Sequence, residues 1–437
     1  MRNYLQHRPL YVSLAFIVVG VLYVFFPTHN STLDAYHYAA NVKFGQDLFS
    51  PHHLLYNAFL YVVVNVITPI LPNLEVLAFS KLVNAFFVVA SLVVLFKILI
   101  KLKLKTKESL LLVLLVAFSY NTMRFGTENE TYIIPVFLSI SGSFFFLKYL
   151  EKPLIRYMLF SGLAATMASL FHQIHFFWWL GLFIGVVVYV KQFKAIVVYA
   201  VSALLVPAVY IAVLYFYNHE PVNIVNLMHF VFHDYYAGSA RSEMGLMNVI
   251  LILISSVRSF FQVHQSALFL IRKNLVFAIP LVVLAFWLIQ AIKLMVQRHL
   301  LVKRPEINTV FFKTSVIVLI LHVLFAFYSV GNVEFLVMLP LLTTLTLLYY
   351  FRFNQRFLKV TLLLLLVWNF MFGIYPNNRF TYYNDDFLVD FIIKHPNDVF
   401  LVENPDLINR YYYATGVDNY DKIILKESVK SNATIDS

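Results

Sequence analysis

The sequence predicts an all-α polytopic membrane protein, on three observations. Of its 437 residues, 61% are hydrophobic and 13% charged, against about 25% charged in a soluble domain. Apolar runs of membrane-crossing length recur along the chain. Lysines and arginines gather in short clusters between those runs, as the positive-inside bias requires. The net charge of +11 is therefore read as topology, and no nucleic-acid partner is expected. There are no cysteines, so thiol catalysis, disulfides and thiolate metal sites are excluded. Aromatic residues make up 17% of the chain and are read mainly as packing and interfacial anchors.

Spans are expected over 10–26, 77–100, 109–121, 132–150, 157–171, 174–190, 195–217, 275–296, 314–330, 335–351 and 357–374, about eleven in all. The first is flanked by Arg2 and Arg8 and is followed by PTHNS without a small-x-small cleavage pattern. It reads as a retained span with a cytoplasmic N-terminus. Two further apolar stretches, 54–71 and 249–271, read as interfacial helices. If 54–71 crossed, Lys101, Lys103, Lys105 and Lys107 would land outside; if 249–271 crossed, Arg298, Lys303 and Arg304 would. Asn57, Asn65 and Pro69 also suit a helix that is not lipid-facing. The opposite parity, with the N-terminus outside and 54–71 spanning, satisfies the later clusters but misplaces Arg2 and Arg8.

This reading gives a bundle over 1–374, with outer loops 27–76, 122–131 and 218–274. A small extracytoplasmic segment follows over 375–437. It holds an amphipathic stretch, DDFLVDFIIKH, and a strand-like one, DVFLVEN. It is short for independent folding and is expected to pack on the outer face.

The outer loops carry the chemistry. In TLDAYHYAANVKFGQDLFSPHHLLYN, 32–57, Asp34, His37 and Tyr38 share a helical face, and His52 and His53 follow. Asp34 suits a base acting on a hydroxyl; a plain helix cap by Thr32 or Asp34 is the alternative. Asp47 reads as a turn residue. In RFGTENETY, 124–132, Glu128 and Glu130 beside Arg124 could hold a divalent cation or orient a sugar. The alternative is a solvated loop with an acidic helix start. HQIH places His172 and His175 at i, i+3; zinc would need further ligands, and a polar turn is the alternative. The long loop offers His233, Asp234, Tyr235 and Arg241. Arg258, with Arg272 and Lys273, could meet a lipid phosphate or snorkel to the interface. Glu334, in GNVEFLVMLP, is a second-tier acid or a cap. The inner loops hold no Walker motif and no strand–GxGxxG unit.

These features together resemble the GT-C superfamily of integral-membrane glycosyltransferases, which includes protein O-mannosyltransferases and lipid A aminoarabinose transferases. The likeness rests on an acid in the first outer loop (Asp34), the proline–histidine run SPHHLLYN at 50–57, an acid in the second outer loop (Glu128 or Glu130), and EFLVMLP at 334–340. The chain differs from many members in having Ala35 after Asp34 and no arginine before its LxxLP stretch. The resemblance implies a polyprenyl-phosphate sugar donor drawn from membrane lipids, and a glycan, lipid or protein acceptor. It implies Asp34 and Glu128 as catalytic residues. His37, Tyr38, His52, His53, Arg124, Glu130, His172, His175, Arg258 and Glu334 would bind substrate, with Arg124 or Arg258 on the leaving phosphate. A divalent cation stays open as a cofactor. The setting would be a bacterial inner membrane with the site facing outward. A polysaccharide polymerase and a lipid-linked-sugar flippase or transporter remain alternatives, as does an assembly scaffold. A transporter calls for ionisable groups in mid-span, where His322 is the exception in nearly charge-free spans.

Overall fold

The computed structural model describes residues 10–236, 245–263, 266–296, 301–304, 306–382, 385–404, 406–417 and 423–426. Arg2, Arg8, Arg241 and Arg298 lie outside the described residues. Helices dominate. The first half of the chain forms α1 (Leu10–Phe25), α2 (Leu33–Phe44), α3 (Tyr56–Ile67), α4 (Val76–Lys101), α5 (Thr106–Ala117), α6 (Tyr120–Gly126), α7 (Ile133–Glu151), α8 (Ile155–Phe171), α9 (Phe176–Gly185), α10 (Phe193–Ser202) and α11 (Leu205–Phe216). The second half forms α12 (Ile224–Val231), α13 (His233–Tyr236), α14 (Leu246–Phe260), α15 (Ser266–Lys273), α16 (Ile279–Val296), α17 (Thr309–Tyr328), α18 (Leu339–Thr343), α19 (Gln355–Asn369), α20 (Tyr375–Arg379), α21 (Asp385–Lys394) and α22 (Asp406–Thr415).

Seven helical runs are long and apolar enough to cross a membrane: Val76–Lys101, Ile133–Glu151, Gln173–Val190, Phe193–Phe216, Leu275–Val296, Thr309–Tyr328 and Gln355–Arg379. The pair α5 and α6, bent by 65°, makes an eighth if it counts as one span. This is an integral membrane protein. Seven or eight of the expected total of about eleven spans are thus long enough to cross by length and composition. The stretches 10–26, 157–171 and 335–351 do form helices, but short ones. α8 has 17 residues, which at 1.5 Å per residue is about 26 Å, under the ~30 Å of a hydrocarbon core, and α1 has 16 among the described residues, which begin at Leu10. Of the two ambiguous stretches, 54–71 forms α3 with 12 residues, and 249–271 is divided between α14 and α15.

Close helix contact needs small residues where there is little hydrophobic drive between helices. On α9, Gly181 and Gly185 lie one turn apart against α17, where an added Cβ would come within 2.5 Å of Val318 and 2.3 Å of Thr314. One end of the bundle is basic and plain. There Arg304 donates to Glu108 at 2.7 Å and Lys101 to Glu151 at 2.5 Å. Strand β1 (Leu301–Lys303) pairs antiparallel with β2 (Phe351–Phe353) at the same end.

The other end gathers the loops and the tail. In the tail, β3 (Phe400–Val402) and β4 (Ile423–Leu425) pair in parallel, with α22 between them in the chain. Val389, Ile392, Leu407 and Ile423 form its apolar core. The unit docks on α2: Tyr412 donates to Asn41 at 3.0 Å and Gln46 at 2.8 Å, and Asn409 donates to Leu33 O at 3.0 Å. The chain leading into the tail is stitched to the first loop. His29 N donates to Asn377 O at 2.8 Å, Asn30 Nδ2 to Phe380 O at 2.7 Å, and Asn378 Nδ2 to Pro27 O at 2.8 Å.

Candidate functional site

The site is built around the start of α2. Thr32 is the N-cap, its hydroxyl oxygen accepting from Ala35 N at 3.2 Å. Capping therefore does not occupy Asp34, which sits in the first turn with an exposed carboxylate. Protein nonetheless surrounds it at longer range. Desolvation raises its pKa above the ordinary 3.8, opposed by His37 and His52. Its carboxylate is thus open to solvent beside a crowded, partly desolvating neighbourhood.

The loop 127–132 braces this turn from below. The Thr32 hydroxyl donates to Glu130 Oε1 at 2.7 Å. Asn129 donates to Ala35 O at 2.7 Å and accepts from the Tyr56 phenol at 2.8 Å. Asn84 on α4 donates to the carbonyls of Glu128 and Glu130, each at 2.8 Å. Glu128 is fully buried. It accepts from Arg124 at 2.9 Å and from Asn129 N at 2.9 Å, and lies 3.8 Å from Lys81 Nζ. Lys81 in turn donates to Thr28 O at 2.8 Å and Ser31 Oγ at 2.6 Å. Glu128 is thus held as the counter-charge of two buried cations, while Asp34 is the open acid.

Glu130 and Glu334 complete an acidic group. Tyr132 donates to Glu334 at 3.1 Å, and Asn332 donates to it at 3.3 Å. Gly331 sets the approach of this turn: at φ +67° an added Cβ would lie 2.6 Å from Ile252 N on α14. Burial pushes the Glu130 carboxyl well above its ordinary range, and Glu334, Asp34 and Glu128 push the same way. Glu334 is raised by burial and then by Asp34. Asp34, Glu130 and Glu334 thus repel one another across one region, and a proton is held there more tightly than on isolated carboxylates.

The histidines divide. His52 and His53 stack edge-on, their ring centroids 4.2 Å apart, and His53 lies 4.8 Å from Tyr38. Burial lowers the pKa of both rings, so they are neutral at pH 7. His52 Nδ1 also lies 3.3 Å from Asp234 on α13, tying the long loop to the site. His37 points to the tail, 5.9 Å from the Tyr412 ring. His172 lies 4.7 Å from the Tyr132 ring and caps the turn Gln173–His175, accepting from Ile174 N at 3.3 Å. His175 points into the bundle, with Nδ1 2.8 Å from Ser139 Oγ and its ring 6.0 Å from His322.

Of the arginines, Arg124 and Arg258 both bear electrostatically on the Tyr120 phenol. Asp34, His37, Tyr38, His52, His53, Arg124, Glu128, Glu130, His172 and Glu334 thus lie in one connected network at the loop end. His175 lies just below it, and Arg258 joins it at the Tyr120 corner. Among the described residues, no group of three His, Asp or Glu side chains is placed to hold a metal ion.

Sequence reasoning missed the braces. Lys81, in a span read as nearly charge-free, is buried, as is Asn84. Their spacing of i, i+3 on an apolar helix was the available signal. Thr32, Tyr56 and Asn129 carry no comparable signature, because hydroxyls and amides are ordinary in loops. Comparison with protein-family models finds no match, and neither does comparison with curated proteins.

Proposed function

We propose that the protein is a glycosyltransferase that moves a sugar from a polyprenyl-phosphate carrier to an acceptor hydroxyl at the extracytoplasmic face of a membrane. The single observation that carries this reading is the uncapped, solvent-reached Asp34 carboxylate, electrostatically coupled to Glu130 and Glu334, at one end of an apolar bundle. In this scheme the ionised carboxylate accepts the proton of an acceptor hydroxyl. The acceptor oxygen bonds to the anomeric carbon, and the bond from that carbon to the carrier phosphate breaks. The phosphate leaves as an anion, with Arg258 and Arg124 the candidate cations. A base of raised pKa is a stronger proton acceptor near neutral pH than an ordinary aspartate. Glu128, already engaged by Arg124 and Lys81, acts here as a positioning residue for the loop that braces α2. The short helices α1 and α8, and the run Val333–Leu348, complete the proposed set of crossings, with the basic end in the cytoplasm of a bacterial cell.

Turnover of polyprenyl-phosphate sugars by the purified protein tests the reading. Asp34→Asn should lower kcat by about 10²–10⁴-fold, the range for loss of a general base, with little change in donor KM. Equal turnover in the two proteins would remove Asp34 from the mechanism. A second reading, a lipid-linked-sugar transporter, is favoured by the buried His175–His322 pair, which lies inside the helical bundle. Flipping of donor in proteoliposomes without transfer would select it.

A further inference from the structure

The tail and α2 enclose a cleft of about 380 Å³, within the size range of small-ligand sites. Its polar wall comes from Tyr36 on α2, Glu75 at the start of α4, Asp386 and Asp390 on α21, and Arg410 and Tyr413 on α22. Glu75 is already committed: it caps α4, accepting from Leu77 N and Ala78 N, and it takes the Tyr413 phenol. The other groups are open in different ways. Asp386 and Asp390 lie one turn apart and are exposed. Asp386 accepts from Arg410 at 3.0 Å through one oxygen, leaving the other. Arg410 is only 8% exposed. Its guanidinium lies 4.6 Å over the Tyr36 ring, and its Nε, 3.4 Å from Asp385, makes no hydrogen bond.

The wall therefore presents acceptors from α21 and the edge of a guanidinium from α22, whose buried Nε faces Asp385. An amine satisfies only the carboxylates. An anion satisfies only the guanidinium and meets three acids against one arginine. A hydroxyl both donates and accepts, so a ring of hydroxyls can satisfy both sides. Leu77, Val389 and Ala414 supply an apolar patch for the C–H face of such a ring. We infer that this cleft is a carbohydrate subsite that takes one pyranose unit. Tyr36 points about 200° around α2 from Asp34, so the cleft is separate from the reaction centre. Resting on the proposed function, we assign it to a sugar of the acceptor beyond the unit that reacts.

Saturation-transfer NMR on the full-length protein in a zwitterionic, sugar-free detergent tests this. The probes are methyl glycosides of glucose, galactose, mannose and N-acetylglucosamine, with putrescine as a cation. Asp390→Ala removes an acceptor, and Ala414→Trp fills the cleft. Both positions are exposed, and melting curves verify the fold. At least one glycoside should bind, and both variants should weaken it by about tenfold or more, the equivalent of one charge-assisted hydrogen bond. The inference is overturned by silence from every glycoside, by a signal unchanged in Ala414→Trp, or by putrescine binding that Asp390→Ala abolishes. Glycoside binding without any sugar transfer by the native protein would leave the subsite standing and remove the proposed function. Transfer with acceptor KM unchanged in Ala414→Trp would do the reverse.

Discussion

Four carboxylates crowded at one end of the bundle, Asp34, Glu128, Glu130 and Glu334, make a residue-scale problem that the protein solves in two ways. Glu128 is neutralised by Arg124 and flanked by Lys81. Breaking a buried pair strands the other charge, so Glu128→Gln should destabilise the protein by about 3–5 kcal/mol, read as a fall in detergent melting temperature. Glu130 is instead biased toward its protonated form by burial. Its pKa is raised in the folded state above the ordinary 4.5, so folding takes up a proton above that pH. The stability it contributes is present below 4.5 and is lost as pH rises through the raised value. Glu130→Gln should flatten that slope, checked by melting curves across a pH series. Asp34 should act at the same scale on rate: kcat/KM should fall on the acid side at a pH above 3.8, since burial raises this carboxyl and only its ionised form accepts a proton. Asp34 was legible in the sequence because i, i+3, i+4 spacing on a polar helix is a strong signal. The distinct job of Glu128 was not, because no spacing rule reveals that a lysine on another helix reaches it.

At the scale of elements, helix identity was legible and helix length was less so. Every expected span is helical, yet α8 and the run Val333–Leu348 are shorter than a full crossing, because polar turns such as the one at His172 cut into the apolar sequence. Hydropathy measures the apolar run and is blind to where a bend or a 3₁₀ turn interrupts it. The α5–α6 pair shows this, with its 65° bend after a stretch that reads as one span. Helix contacts were invisible for a similar reason: a glycine signals nothing until its neighbour is known. Gly185→Val should push α9 from Thr314 and cost about 1–3 kcal/mol. Gly245→Ala, where an added Cβ meets nothing within 4 Å, should leave the melting temperature unchanged in the same assay.

Taken whole, the molecule is asymmetric end to end: basic residues, a two-stranded antiparallel pair and ion pairs at one end, and acids, imidazoles and the tail at the other. The absence of cysteines lets single thiols report this directly. With impermeant maleimide on intact cells, Val222→Cys should be labelled and Lys105→Cys should react only after lysis. Labelling of Lys105→Cys in intact cells would reverse the proposed orientation. The pattern of charge made this polarity legible. The docking of the tail on α2 was not, since it rests on single hydrogen bonds such as Tyr412 to Asn41 across 371 positions. Those same bonds impose an order on manufacture. The strand of chain around Pro27 to Asn30 leaves the ribosome long before its partners at Asn377, Asn378 and Phe380, which lie about 350 positions later. The pocket above α2 therefore cannot close on a nascent chain, however many helices have already been inserted. Activity should switch on only once synthesis has passed Phe380, and products stalled before Asn377 should be inert even when stably embedded.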